Sequence, residues 1–201
     1  MSTKKILLLY YSRHGAVEEL SRYVARGIES VDDCEAVMRT VPAVSTVCEA
    51  TAPEVPDRGD VYASAEDLLE CQGLILGSPT RFGTIASPLK YFFDQTAPQW
   101  LAGALCDKPA GVFTSSSTQH GGQESTLLSM MVPLIHHGMV MVGIPFCGTE
   151  LGHTQTGGSP YGASHVAGGD GNQPFSQDEK RLAERLGRRV ANCAKQLGTL
   201  D

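Results

Sequence analysis

Six consecutive apolar and aromatic residues, Ile6-Leu7-Leu8-Leu9-Tyr10-Tyr11, stand near the start of the chain and run straight into the polar turn Ser12-Arg13-His14-Gly15. A run this short with no polar face is a strand covered on both sides, and such strands belong to parallel sheets clothed in helices. It is far too short to cross a membrane. No small-residue cleavage site follows it, so neither a leader peptide nor membrane insertion is expected. Beyond the turn, Val17, Leu20, Val24 and Ile28 recur at spacings of three and four, which makes a helix with one apolar stripe. Strand, polar turn and amphipathic helix together form the repeating unit of an α/β fold.

The unit repeats along the chain. Cys34–Arg39 alternates weakly, as an edge strand does, and residues 42–64, with Pro42, Pro53 and Pro56, read as a loop. A short helical turn over Ala65–Cys71 leads into a central strand, Gly73–Pro79, closed by Ser78-Pro79. Pro88–Gln95 reads as a helix, Ala110–Phe113 as the fourth strand, Gln123–His137 as a helix that Pro133 should kink, and Met139–Val142 as the fifth strand. Residues 143–174 hold nine glycines and read as one long irregular loop, which in a compact domain is more often functional than idle. Ser176-Gln177-Asp178-Glu179 is a capping box opening a last helix striped by Leu182, Leu186, Val190, Ala194 and Leu197. Five strands alternating with helices predict a single domain over residues 1–201, a flavodoxin-like doubly wound parallel sheet of order 2-1-3-4-5. Ligands of such sheets bind beyond the carboxyl ends of the strands, at the switch point.

Composition narrows the function classes. The chain of 201 residues carries 16 Lys and Arg against 22 Asp and Glu, a net charge of −6, with no basic run. That argues against nucleic-acid binding, which rests on phosphate neutralisation, and against a polybasic membrane surface. The six cysteines, Cys34, Cys48, Cys71, Cys106, Cys147 and Cys193, form no C-x-x-C pair and share no ligand spacing with histidine. Free thiols in a reducing cytoplasm are expected, with neither a disulfide framework nor a metal site.

Three loops lie at the predicted switch point. Ser12-Arg13-His14-Gly15-Ala16-Val17 joins a buried strand to a helix N-terminus, where free N–H groups and the helix dipole favour an anion. It contains neither a Walker lysine nor G-x-G-x-x-G, so a terminal phosphomonoester fits better than a triphosphate or a dinucleotide. Gly77-Ser78-Pro79-Thr80-Arg81-Phe82-Gly83 presents a hydroxyl, a cation and an aromatic edge beside backbone amides, a set able to border a flat hydrogen-bonding ring. Thr114-Ser115-Ser116-Ser117-Thr118-Gln119-His120-Gly121-Gly122 begins with five hydroxyl residues, suited to sugar, ribityl or phosphate oxygens. Each loop alone also reads as an ordinary connection; their convergence at one sheet edge gives them weight.

Taken with D-Q-T-x-x-x-W at Asp94–Trp100, H-G-G-Q-E at His120–Glu124, H-H-G-M-V at His136–Val140 and P-Y-G-A-S-x-x-A-G-G-D at Pro160–Asp170, these loops resemble the WrbA-type NAD(P)H:quinone oxidoreductases over essentially the whole chain. The resemblance implies an FMN flavoprotein that passes electrons from NAD(P)H to quinones and assembles as a homotetramer. It implies that Ser12, Arg13, His14, Gly15, Ala16 and Val17 hold the FMN phosphate and that Thr80, Arg81 and Phe82 border the isoalloxazine ring. Ser115, Ser116, Ser117, Thr118, Gln119, His120 and Gly121 would line the other side and the ribityl chain. His136 would close the ring site, and Trp100 would wall the quinone pocket. His14, at a nicotinamide contact, departs from the tyrosine common in the family.

The charge pattern around these loops agrees with hydride chemistry. Arg81, His120 and His136 are the ionisable groups offered, and no acid stands between Thr80 and Gly83 or between Ser115 and Gly122. Positive or neutral hydrogen-bonding surroundings favour a two-electron reduced flavin, whereas an acidic rim suits a one-electron carrier. A one-electron carrier and a regulatory interaction protein are the competing readings. His153 and His165 are expected to serve loop packing, and Met130, Met131, Met139 and Met141 to fill the core.

Overall fold

The computed structural model describes residues 3–45 and 56–197. The middle of the expected 42–64 loop, with Cys48 and Pro53, lies outside the described residues. Strands β1 (Lys4–Tyr10), β2 (Cys34–Thr40), β3 (Gly73–Pro79), β4 (Pro109–Ser116) and β5 (Val140–Met141) form a parallel sheet in the order β2-β1-β3-β4-β5, as expected. Helices α1 (Ala16–Glu29), α2 (Ala65–Glu70), α3 (Ser87–Asp94), α4 (Ala97–Leu101), α5 (Gln123–His136) and α7 (Gln177–Leu197) surround it, and α6 (Glu150–His153) is a single turn.

The apolar run of β1 shows why both faces must be covered. Ile6, Leu8 and Tyr10 pack with Val17, Leu20, Val24 and Ile28 of α1 and with Leu182, Leu186 and Val190 of α7. Leu7 and Leu9 point the other way, into a core built with Leu68 of α2, Leu89 and Phe93 of α3, and Leu127, Met130 and Leu134 of α5. Residues Ile6 to Leu9 have no exposed surface. Each such side chain buried contributes about 1.5–3 kcal/mol, so this strand alone anchors two layers. Met130 and Met139 are buried as core filler, and Met131 and Met141 pack against the same cluster. Pro133 lies inside α5, which continues to His136. The five cysteines among the described residues are free.

Two features differ from the expectation. A sixth strand, β6 (Ala163–Val166), lies inside the stretch expected to be irregular, and it pairs in parallel with β4, Phe113 opposite Ala163 and Ser116 opposite Val166. β5 pairs only with Pro109 and Ala110 at the other end of the same β4 edge. One edge position of the sheet is thus filled in two pieces, with the chain between them looping out. The second difference follows from the first. Because β3 partners Thr114 and Ser115 on one edge and β6 partners Thr114, Ser115 and Ser116 on the other, β4 runs on through these three residues, which belong to the strand and not to the loop after it.

The excursion is stapled to α7 by one carboxylate. The capping box is present: Ser176 N–H donates to Glu179 (2.8 Å), and Glu179 N–H donates to Ser176 Oγ (3.1 Å). Glu179 Oε1 also accepts from Gly157 N–H (2.9 Å) and Val166 N–H (3.2 Å) and meets His165 Nδ1 at 3.2 Å. His165 is itself buried and stacked on Phe175 with ring centres 3.7 Å apart. Arg185 to Glu150 (2.8 Å) and Arg189 Nε to the Gly143 carbonyl (3.0 Å) add two further ties.

Burial alone would raise the Glu179 carboxyl, but hydrogen bonds from His165, Ser176 and Gly157 outweigh it and hold it near 2, below the ordinary 4.5. A carboxyl depressed in the folded state contributes its stability in full above the ordinary value and loses it as pH falls from there through the folded value. Acid unfolding between pH 5 and pH 2 should therefore carry a loss on the order of 3 kcal/mol from this group. Glu179→Gln should be less stable at pH 7 by about 2–3 kcal/mol and show a flatter acid limb. Denaturant unfolding at pH 7, 5 and 3 measures both; wild-type stability of the variant at pH 7 would contradict the staple.

Candidate functional site

The three predicted loops meet at the carboxyl edge of β1, β3 and β4. A cavity of about 100 Å³ there is lined by Ser12, Arg13, His14, Ala16 and Val17 from the first, Thr80 and Arg81 from the second, and Ser115, Ser116 and Ser117 from the end of β4. Pro79, Ala167 and Gly171 complete it. The last two follow β6, and sequence reasoning assigned them no site role. The glycine-rich A-G-G-D-G that carries them has a clear local signal, but only the pairing of β6 with β4 brings it beside Ser12.

The first loop is shaped for an anion. Gly15 is the N-cap of α1 with φ +91, a left-handed conformation costly for other residues, and its N–H donates to Ser12 Oγ (3.1 Å). The N–H groups of Ala16, Val17 and Glu18, in the first turn of α1, have no intrahelical carbonyl to reach. Beneath the loop, the buried Tyr10 hydroxyl donates to Asp60 (2.8 Å), and Arg22 pairs with both Asp60 and Glu18 at 3.3 Å. Burial and the Asp60 carboxylate push the Tyr10 phenol well up, so it stays neutral. Asp60 and Glu18 are thereby paired, and Arg13 and the helix N-terminus bring positive charge to the loop.

The second and third loops form one hydrogen-bonded unit. Thr80 N–H donates to the Ser115 carbonyl (3.0 Å), and Thr80 Oγ1 donates to the Gly121 carbonyl (3.2 Å). Arg81 is half-buried, and its Nη1 donates to the Thr80 carbonyl (2.8 Å), so its charge meets a dipole and no carboxylate there. Phe82 has φ +50 and a fully exposed ring. Gly121 N–H and Ser116 Oγ both donate to the Thr118 carbonyl at 3.0 and 2.9 Å, closing the turn. Gln119 and His120 face a separate polar cavity of about 400 Å³ shared with Gln123, Glu124 and Thr156. Gln119 Nε2 ties that side to the Thr156 carbonyl (3.1 Å).

Trp100 and His136 are not brought to this cavity. His136 ends α5, about 20 Å along the helix from the Gly122 end that meets the loops. There the Trp100 and His136 rings stack, centres 5.4 Å apart and 9° from parallel, and Trp100 Nε1 donates to the His136 carbonyl (2.9 Å). Behind them, Thr96 Oγ1 donates to the Phe93 carbonyl (2.7 Å), so His137 Nε2 must be the donor in its 3.0 Å contact with Thr96. Nδ1 of His137 is buried and bare. Burial and the neighbouring His136 lower the His137 pKa and keep the ring neutral.

Residues 5–151 match the family described as NADPH-dependent FMN reductase. The chain belongs to that family. Two relatives, each named NAD(P)H dehydrogenase (quinone), from Geobacter sulfurreducens and Syntrophobacter fumaroxidans, are 41% identical over 199 and 200 residues, covering 96% of this chain and 98% of each relative. Among solved structures, a WrbA-like flavodoxin from Agrobacterium tumefaciens superposes with a TM-score of 0.68 at 22% identity, covering 96% of this chain and 99% of that one. Oxidised flavodoxin 1 from Bacillus cereus gives 0.59 at 16%, covering 94% and 98%. At these identities the structures show the fold, and it is the flavodoxin-like one.

This family member offers a polar lining that fits an FMN phosphate and ribityl chain: unpaired helix N–H groups, Arg13 and the hydroxyls of Ser12, Ser115 and Ser117, with the Thr80 and Ser116 hydroxyls, whose protons are already given to carbonyls, as acceptors. Two glycines respond differently to substitution. A methyl group at Gly15 would meet open space, so Gly15→Ala should cost only the left-handed strain, about 1–2 kcal/mol. Gly122 has φ +87, and its Cβ would sit 2.9 Å from Gly83 Cα, so Gly122→Ala should cost more and displace the second loop. Denaturant unfolding of both variants checks this; equal losses would contradict the close joint between Gly83 and Gly122.

Proposed function

We propose that the protein is an FMN-dependent NAD(P)H:quinone oxidoreductase. The single observation that carries the reading is the convergence of the anion loop 12–17, the Thr80–Arg81 loop and the hydroxyl end of β4 on one cavity in a chain of this family. When bound, FMN would supply the chemistry of hydride acceptance from a nicotinamide and two-electron transfer to a quinone.

The residues divide the work by their chemistry. Ser12 to Val17 hold the phosphate through the first-turn N–H groups of α1 and the Arg13 charge. The flavin ring would be bordered by Thr80, Arg81 and Phe82 on one side and by Ser117 on the other, while Gln119 and His120 face the neighbouring cavity. Arg81 brings a half-buried cation to that border, hydrogen-bonded to a carbonyl, which stabilises negative charge gained on reduction more than the neutral oxidised ring. His14, exposed on the first loop, takes the nicotinamide side. A single anion loop with no dinucleotide fingerprint suits FMN and not FAD.

Trp100 and His136 lie at the far end of α5, so they can reach a ring site only from another copy of the chain. We place them over the ring and quinone of a neighbouring subunit in a homotetramer. The exposed Leu128, Val132 and Ile135 along α5 and Leu101 beside Trp100 support a contact surface there. Among the described residues no helix is long and apolar enough to cross a membrane. A single domain in the cytoplasm is consistent with the free cysteines.

Steady-state oxidation of NADH by FMN-loaded protein with benzoquinone tests the reading. Because donor and acceptor use one pocket in turn, double-reciprocal plots at several quinone concentrations should be parallel, and activity should depend on FMN. Intersecting lines would contradict sequential use of one pocket, and no quinone-dependent oxidation would contradict the activity.

A further inference from the structure

We infer that Thr126, a residue outside the cavity, is a positioning residue that locks the two ring-bordering loops together and makes the Thr80 hydroxyl an acceptor toward the ligand. The inference rests on the FMN reading above. Thr126 stands in the first turn of α5 with no exposed surface, and its Oγ1 lies 2.7 Å from Thr80 Oγ1. Thr80 Oγ1 is also 3.2 Å from the Gly121 carbonyl oxygen.

A hydroxyl has one proton to give. A carbonyl oxygen only accepts, so the Thr80 proton goes to Gly121. Thr126 must then donate to Thr80. The chain Thr126 to Thr80 to Gly121 fixes both hydroxyl protons and leaves the hydroxyl of Thr80, a residue that lines the cavity, with acceptor capacity alone. Its hydroxyl therefore suits a ligand N–H and disfavours a ligand carbonyl. The pyrimidine part of an isoalloxazine ring has two carbonyls and one N–H, so an acceptor at this point restricts how the ring lies.

The same helix turn makes the joint stiff. Ser129 Oγ accepts from Ile85 N–H (3.1 Å) and donates to the Thr126 carbonyl (2.8 Å). Gly83 and Gly122 meet backbone to backbone above Ser125. The loop after β3 is thus seated on α5 at both ends, and within that seat the Thr126 hydroxyl bonds directly to Thr80, a residue that lines the cavity.

Titration with FMN and with riboflavin separates this role from phosphate binding. Thr126→Val should weaken both flavins by the same factor, about five- to tenfold, the worth of one buried hydrogen bond. The ratio of the two affinities should be unchanged, the visible bands of the bound flavin should shift, and Thr126→Ser should restore both affinities and the bands. Thr126→Ala repeats the comparison if the valine variant does not fold. Wild-type riboflavin affinity in the variant would overturn the inference, as would a loss confined to FMN or a failure of serine to rescue. If the wild type binds no flavin, the FMN reading fails by itself. The lock is then read by amide exchange at Thr80 and Arg81, which should speed up in Thr126→Val and recover in Thr126→Ser; unchanged exchange would overturn it.

Discussion

Strand β4 is paired on both edges at Thr114 and Ser115 and on the β6 edge as far as Ser116, and the rest of the site depends on that. β3 holds one edge through Pro79 opposite Ser115, and β6 holds the other through His165 opposite Ser115 and Val166 opposite Ser116. Three hydroxyl residues that would wander in a loop are thereby fixed at the sheet edge, and the A-G-G-D-G turn after β6 is delivered beside the first loop. The arrangement in turn needs β6 to stay in place. Its tether is Glu179, which satisfies backbone N–H groups of Gly157, Val166 and Ser176 from inside the protein.

Electrostatics then decide what the edge can hold. Two acids beneath the first loop are bound up, Asp60 by Tyr10 and Arg22 and Glu18 by Arg22. Arg13, Arg81 and the N-terminus of α1 face the cavity without a carboxylate among its lining residues. A phosphate is attracted to one end of such a site, and a ring that gains negative charge is stabilised at the other.

Much of this was legible in the sequence. The β1 run, the α1 stripe and the Ser176–Glu179 capping box have strong local signals, because burial and helix capping act within a few residues. The sheet order and the three loops followed from them. β6 was not legible: Ala-Ser-His-Val has no apolar run, and its strand state comes from pairing with β4, which no local pattern encodes. For the same reason the strand end at Ser116 was misplaced by three residues. Thr126 looked like an ordinary helical threonine, since only the tertiary approach of Thr80 gives its hydroxyl a purpose. Trp100 and His136 carry motifs that point to the ring, yet α5 holds them at its other end, a separation that helix length makes plain only once both ends are placed.

The most direct test of the central claim is an anaerobic titration of the FMN-loaded protein with NADH, followed by visible absorbance. A site with Arg81 and no acid at the ring border predicts bleaching of the flavin in one phase by one equivalent of NADH, with no one-electron species accumulating. A long-wavelength band that rises and persists midway through the titration would contradict the account and place the protein among the one-electron carriers.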